Sequence, residues 1–185
     1  RRFSMPWSSP AQRMKEYVGA LRAIWRCWND GEPLRFDGEF YRHTLMTPMF
    51  SPDPNPFGEP AVYVAAVGPR MLATAAEVAD GLLVHPFTSE AYLREVIRPA
   101  LTAARGNLDG FAISGMPIIV TGRNEAEQQR SAAAARRQIA FYASTPAYKP
   151  VLDQHGWGEL HDEMHALSLK GEWVAMGERL PAEVL

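Results

Sequence analysis

The segment Ala61–Pro86, AVYVAAVGPRMLATAAEVADGLLVHP, constrains the fold more than any other stretch of the chain. Val62–Ala66 is short and wholly apolar, the pattern of a strand buried on both faces. Gly68 and Pro69 then interrupt it. Pro69 suits the first position of a helix, where its missing N–H has no intrahelical partner to lose. Met71, Leu72, Ala75, Ala76 and Val78 recur at helical spacing and give that helix an apolar face. Asp80-Gly81 closes the helix, and Leu82–Val84 forms a second apolar run. Fifteen residues separate Ala66 from Leu82, enough for a crossover that makes the two strands parallel.

This unit carries its own chemical suggestion. In parallel sheets and barrels, the loop that follows a strand lies at the carboxyl end, where such folds bind ligands. Here Val67-Gly68-Pro69-Arg70 leads straight into a helix N-terminus, whose unpaired N–H groups and positive dipole end favour a phosphate. Gly68 allows close approach to the backbone. Gly68 as a plain helix cap is the simpler alternative. His85 follows the second strand in the same way, as a donor or general acid/base for a ligand or as a strand-end histidine satisfied by the backbone. Phe87 and Thr88, on the same loop, can stack and hydrogen-bond.

On the N-terminal side, residues 1–8 read as loop. Ser9-Pro10-Ala11-Gln12 has the form of a capping box with proline at the first helical position. A helix to about Asn29 follows, with Met14, Tyr17, Val18, Leu21, Ile24, Trp25 and Trp28 on one stripe, and Gly31 and Pro33 stop it. Leu34–Tyr41 alternates around Asp37-Gly38, a two-residue hairpin signal. Thr47–Pro60 holds five prolines and reads as an ordered excursion or lid.

On the C-terminal side, Ser89 can cap a helix over Glu90–Ala104, which Pro99 should kink or restart. Phe111–Thr121 is strand-like, most strongly at Ile118–Val120. Asn124–Glu127 caps a long helix running to about Ala143. From Thr145 onward, Tyr148, Val151, Leu152, Trp157, Leu160, Met164, Leu167 and Trp173 suggest short helices packed on the outside of the domain, and Pro181–Leu185 suggests a helix interrupted at its start. The alternation of strand and helix from Val62 onward argues for an α/β parallel architecture, expected as one domain over 1–185.

Composition excludes several classes. A net charge of −2 gives no bulk reason to bind nucleic acid or an anionic membrane, and no apolar run is long enough to span a bilayer. Cys27 is the only cysteine, which suits a reducing cytoplasm. Arg1-Arg2-Phe3, without an initiator methionine or a signal-peptide pattern, reads as the middle of something longer. His161 and His165 lie one helical turn apart, but with no third ligand specified they read as a solvated helix face, and no metal is expected. Arg130, Arg136 and Arg137 read as a solvated helix face as well. There is no serine nucleophile elbow, Cys/His pair or phosphate-binding Walker loop.

Three stretches, RMKEYVGALRAIWRCW, FDGEFYRHTLMTPMFSP and above all VYVAAVGPRMLATAAEVADGLLVHPF, resemble the luciferase-like monooxygenase superfamily, and within it the coenzyme F420-dependent (deazaflavin) oxidoreductases. PVLDQHGW and the helical tail look similar to the same group. The resemblance implies a partial (β/α)8 TIM barrel, the C-terminal portion with about strands five to seven and extra C-terminal helices. It implies that Ala66, Val67, Gly68, Pro69, Arg70 and Met71 lie at the coenzyme's phosphate, with His85, Phe87 and Thr88 facing the ring or substrate and His85 the catalytic candidate. The activity implied is hydride transfer between F420 and a small organic substrate. An FMN-dependent monooxygenase on the same scaffold is one alternative, and a non-catalytic barrel fragment that folds only with a partner is another. Homodimer formation is left open.

Overall fold

The computed structural model of the chain describes residues 8–185, so most of the N-terminal segment read as loop lies outside it. The chain divides into two compact units. One comprises the residues up to Leu83 together with Ala100–Ser114, the other Val84–Pro99 together with Gly115–Leu185.

The first unit begins with α1 (Pro10–Asp30), which ends as expected on Gly31 in the left-handed conformation, φ 70°. Its start differs from the capping box. Ser9 is itself left-handed (φ 39°), so its hydroxyl makes no cap bond, since capping needs an extended residue there. Gln12 bonds Glu16 (3.3 Å) and Arg13 bonds the Ser8 hydroxyl (3.0 Å) instead. The apolar stripe is only partly covered: Val18 is buried, Tyr17 is exposed and the remaining members are half-buried.

Glu16, which no apolar pattern singles out, is buried on α1. Its carboxylate accepts the Phe40 N–H at 2.7 Å, and that bond holds its pKa below the ordinary glutamate value. The hairpin strands β1 (Phe36–Asp37) and β2 (Arg42–His43) pair antiparallel, Phe36 with His43 and Asp37 with Arg42. The connecting loop is therefore Gly38–Tyr41 rather than a tight Asp37-Gly38 turn. The buried carboxylate at Phe40 and the Gly38 N–H to Tyr41 C=O bond (2.9 Å) hold the wider loop. Thr47–Pro60 is irregular apart from a 3₁₀ turn at Pro48–Phe50. Asn29 Oδ1 accepts the Asn55 N–H (2.9 Å) and Arg22 meets Glu59 (3.3 Å), which ties the excursion to α1.

β3 (Tyr63–Ala65), β4 (Gly81–Val84) and β5 (Ala112–Gly115) form a three-stranded sheet in the order β3-β4-β5. As the crossover length predicts, β3 and β4 are parallel, with Val64 opposite Leu82. The crossover helix α2 (Pro69–Val78) buries Leu72, Ala75 and Ala76 and packs against α1. The expectation that β3 is buried on both faces fails. Val64 and Leu82 are buried, but Tyr63 is 42% and Leu83 44% exposed on the opposite face. Successive side chains alternate, so a strand is doubly buried only where both faces are covered; among the described residues nothing covers the second.

Asp80 is a fastening between elements rather than a helix end, since α2 stops at Val78. Its carboxylate accepts the Val62 N–H at 2.7 Å and an Arg22 guanidinium N–H at 2.8 Å. Burial pushes its pKa up, but the Val62 N–H and Arg22 outweigh burial and hold it below the ordinary aspartate value. Gly81 belongs to β4, where a Cβ would stand 2.5 Å from the Tyr63 ring and 2.7 Å from the Ala112 carbonyl oxygen. Only glycine fits there.

In the second unit Ser89 caps as expected, its Oγ accepting the Tyr92 N–H at 3.1 Å. A new α-helical segment starts beside Pro99, as expected. The stretch runs as α3 (Glu90–Tyr92), a π-helical turn at Leu93–Ile97, and α4 (Arg98–Arg105). The wider turn gives the proline ring room against the preceding carbonyls. The strand expected over Phe111–Thr121 is confined to Ala112–Gly115, and Ile118–Val120 is irregular, with Ile119 70% exposed. Pro117 offers no N–H to a ladder, and β-branched composition without a pairing partner does not make a strand.

α5 (Glu125–Ala143) starts on Asn124, which accepts the Glu127 N–H at 3.0 Å, as the sequence predicts. After a 3₁₀ turn at Pro146–Tyr148 come α6 (Lys149–Gln154), α7 (Gly158–Lys170) and α8 (Trp173–Arg179). They are not an outer layer. With α5 they enclose a core of their own, centred on Ile139, Ala140, Leu152, Met164, Leu167 and Met176. Pro181–Leu185 holds a 3₁₀ turn at Ala182–Val184.

Two surface readings also change. Arg136 donates to the Leu180 carbonyl rather than to solvent. His161 is buried, and its Nδ1–H donates to the Ala143 carbonyl (2.7 Å) while His165 Nδ1–H donates to that of Ser144 (2.9 Å). The pair caps the C-terminal end of α5, where orphan carbonyls need donors. Among the described residues no group of three or more His, Cys, Asp or Glu could hold a metal, and no helix is long and apolar enough to cross a membrane.

Candidate functional site

The Ala66–Met71 loop lies in the first unit, between β3 and α2. Ala66 is buried and contributes backbone only; Val67 and Met71 are half-buried; Gly68, Pro69 and Arg70 are exposed. Leu72 N–H already donates to the Gly68 carbonyl (3.0 Å), so the first-turn amides of Arg70 and Met71 are the ones without intrahelical partners. Gly68 is the N-cap, with φ −87° and ψ 161°, extended backbone that any residue adopts. Among the described residues, a Cβ at this position meets nothing within 4 Å. Neither backbone strain nor packing demands glycine here. What glycine leaves is an open, side-chain-free approach to two amides and a cationic residue at a helix N-terminus, which is the donor set a phosphate needs.

His85 lies in the second unit, directly after β4, and is half-buried. Phe87 N–H donates to its Nδ1 at 3.2 Å, and its Nε2 lies 3.0 Å from the Tyr148 hydroxyl. Its ring stacks on Tyr148 (centroids 4.3 Å apart, planes at 23°) and meets Tyr142 edge-on (4.6 Å, 83°). Burial pushes the His85 pKa below the ordinary histidine value. Burial, with Tyr142 beside it, pushes the Tyr148 phenol up. The arrangement therefore holds a neutral imidazole and a protonated phenol in contact at neutral pH.

Phe87 joins the same cluster, its ring 5.9 Å from Tyr148. Phe87 and Thr88 also line a cavity of about 260 Å³ within the second unit, mostly apolar, with Ser89, His155 and Trp157 on its wall. There His155 Nε2 lies 2.8 Å from Ser89 Oγ and its ring stacks on Trp157. The sequence reading names His85, Phe87 and Thr88 but misses Tyr142 and Tyr148 as their partners. Tyr148 stands out only as one member of an apolar stripe, 63 residues away in the chain from His85. No spacing rule connects them.

Comparison with known proteins extends this picture. An uncharacterized protein of Mycobacterium tuberculosis is 53% identical over 189 residues, covering 100% of this chain and 56% of its own length. The 5,10-methylenetetrahydromethanopterin reductase of Archaeoglobus fulgidus is 28% identical over 196 residues, covering 100% of this chain and 54% of its own. The solved coenzyme F420-dependent tetrahydromethanopterin reductase of Methanopyrus kandleri superposes with a TM-score of 0.70 at 19% identity, covering all of this chain and 51% of that one. The likeness is one of α/β fold. The chain spans about half the length of the relatives it matches. The family model described as Luciferase-like monooxygenase matches residues 1–185, and the chain belongs to that family.

Proposed function

We propose that this chain is part of a coenzyme F420-dependent oxidoreductase that transfers hydride between the deazaflavin and a small organic substrate. The observation that carries the reading is the Gly68–Met71 turn, a helix N-terminus whose only glycine is explained neither by strain nor by packing. Two backbone amides and the exposed Arg70 would receive the coenzyme's phosphate; Pro69 fixes the turn without competing as a donor. Ala66 and Val67 would set the height of that turn through the end of β3. His85, Phe87 and Thr88 would form the wall on the ring or substrate side. When bound, the deazaflavin supplies the hydride-carrying carbon, and the protein's share is binding, orientation and exclusion of water. The Methanopyrus kandleri reductase that shares this fold is coenzyme F420-dependent, which favours F420 over FMN for this chain.

The test is equilibrium binding of F420 and of FMN to the full-length protein, followed by absorbance of the retained coenzyme. Retention of F420 with micromolar or better affinity is expected. Retention of FMN alone would point to the monooxygenase alternative. Uptake of neither coenzyme refutes the oxidoreductase reading and favours a non-catalytic role.

A further inference from the structure

The loop after β4 presents two candidate proton donors, and the hydrogen bonds decide between them. An amide N–H can only meet a ring nitrogen that carries a lone pair. Because Phe87 N–H donates to His85 Nδ1, that nitrogen is bare, and the neutral imidazole carries its single proton on Nε2. Nε2 faces the Tyr148 hydroxyl at 3.0 Å, so the imidazole donates and the phenol accepts. Both histidine nitrogens are then used inside the protein. The Tyr148 hydroxyl proton is not, since among the described residues it has no acceptor.

We propose that Tyr148 is the hydrogen-bond donor this cluster offers to a bound ligand, and that His85 is a positioning residue acting through it. The inference rests on the oxidoreductase reading and names what the wall beside the ring or substrate contributes. The ligand it suits is a planar heterocycle with a carbonyl or ring-nitrogen acceptor at its edge. The rings of Tyr142 and Tyr148 meet the imidazole, and Phe87 packs beside Tyr148, an aromatic cluster that favours a flat, polarisable partner. The stack and the edge contact fix the plane of His85, and its two hydrogen bonds fix its rotation. A phenol that accepts from an imidazole N–H is polarised and becomes a better donor through its own O–H. Burial, which disfavours the imidazolium and the phenolate, keeps both groups in the protonation states this relay needs.

Nitrogen-15 NMR of the histidine side chains in the unliganded full-length protein reads the His85 tautomer directly. A proton on Nε2 and none on Nδ1 is expected; an Nδ1–H tautomer overturns the proposal. Titration with F420, and separately with FMN, then compares variants with the unaltered protein. Tyr148→Phe keeps the ring and removes only the hydroxyl, and should weaken coenzyme binding about 3- to 10-fold, the worth of one neutral hydrogen bond. Its melting temperature should stay within about 2 °C of the unaltered protein, since the ring stack survives. His85→Gln, whose amide can accept from Phe87 and donate to Tyr148, should stay within about threefold, while His85→Ala should fall to the level of Tyr148→Phe. Unchanged affinity in Tyr148→Phe overturns the proposal. So does a loss in His85→Gln as large as in His85→Ala, which would mean that the imidazole itself meets the ligand. If the unaltered protein takes up neither coenzyme, the oxidoreductase reading fails and the ligand role of Tyr148 fails with it, while the tautomer still reports whether the His85–Tyr148 relay exists.

Discussion

Replacing Asp80 separates a fastening of the fold from the chemistry expected near the other end of the same strand. Its carboxylate accepts from the Val62 N–H at 2.7 Å and from Arg22 at 2.8 Å, joining the segment before β4 to the start of β3 and to α1. Asp80→Ala leaves a partly buried amide without an acceptor, about 1–2 kcal/mol. It also removes an ion pair whose side chains are 25% and 40% exposed, roughly 0.5–1 kcal/mol after solvent screening. The sum, about 1.5–3 kcal/mol, corresponds to a fall in melting temperature of roughly 3–12 °C for a chain of this size. Asp80→Asn keeps an acceptor for Val62 and loses only the charge, so it should fall by roughly 1–4 °C.

The pH dependence follows from the direction of the pKa. The folded-state pKa is below the unfolded one, so the stability Asp80 contributes is fully present above the unfolded value, about 3.9, and disappears as pH falls through the folded value. The gap between the unaltered chain and Asp80→Asn should therefore be constant around neutrality and close on acidification. Thermal melts followed by far-ultraviolet circular dichroism at stepped pH measure all of this. Equal melting temperatures for Asp80→Ala and Asp80→Asn at neutral pH would refute the role assigned to the Val62 bond. A gap that persists unchanged to pH 2 would refute the role assigned to the charge. Coenzyme affinity of the folded Asp80→Asn protein should not change, because Asp80 precedes β4 and His85 follows it.

Two further outcomes are expected. Gly68→Val should destabilise the fold by no more than about 1 kcal/mol, since a Cβ there meets nothing within 4 Å, yet weaken F420 binding at least about tenfold in calorimetric titration of the full-length protein; unchanged affinity would remove the loop from the phosphate site. The chain of residues 1–185 expressed alone should self-associate, because among the described residues the outer edges of β3 and β5 are unpaired and Tyr63 and Leu83 stand exposed on the open sheet face. Light scattering that reports a monodisperse monomer would show that this face is satisfied within the chain.

What could be read directly from the residues was local. The β3–α2–β4 unit, the Ser89 and Asn124 caps and the Gly31 stop follow from short-range rules of period, proline position and left-handed glycine. Parallel pairing of β3 and β4 follows too, because the crossover length leaves little else. The Gly68 turn was legible for the same reason, since a glycine-proline helix start is written in consecutive residues. The Ser9 box, the two-residue hairpin turn and the Ile118–Val120 strand were also locally plausible, and they fail because something distant outweighs the pattern. The buried Glu16 carboxylate widens the hairpin loop, and among the described residues Ile118–Val120 finds no strand to pair with.

The His85 cluster belongs to that second kind. A histidine's tautomer and pKa are set by whichever amide, hydroxyl and rings surround it, and here two of the rings come from Tyr142 and Tyr148, far along the chain. The same holds for His161 and His165, which pattern alone assigns to solvent and which packing turns toward the carbonyls that end α5. Hydrophobic period reports which face of an element is buried. It carries no record of which polar atom waits on the other side, because that depends on contacts dozens of residues apart that form only once the helices of the C-terminal unit close around their core.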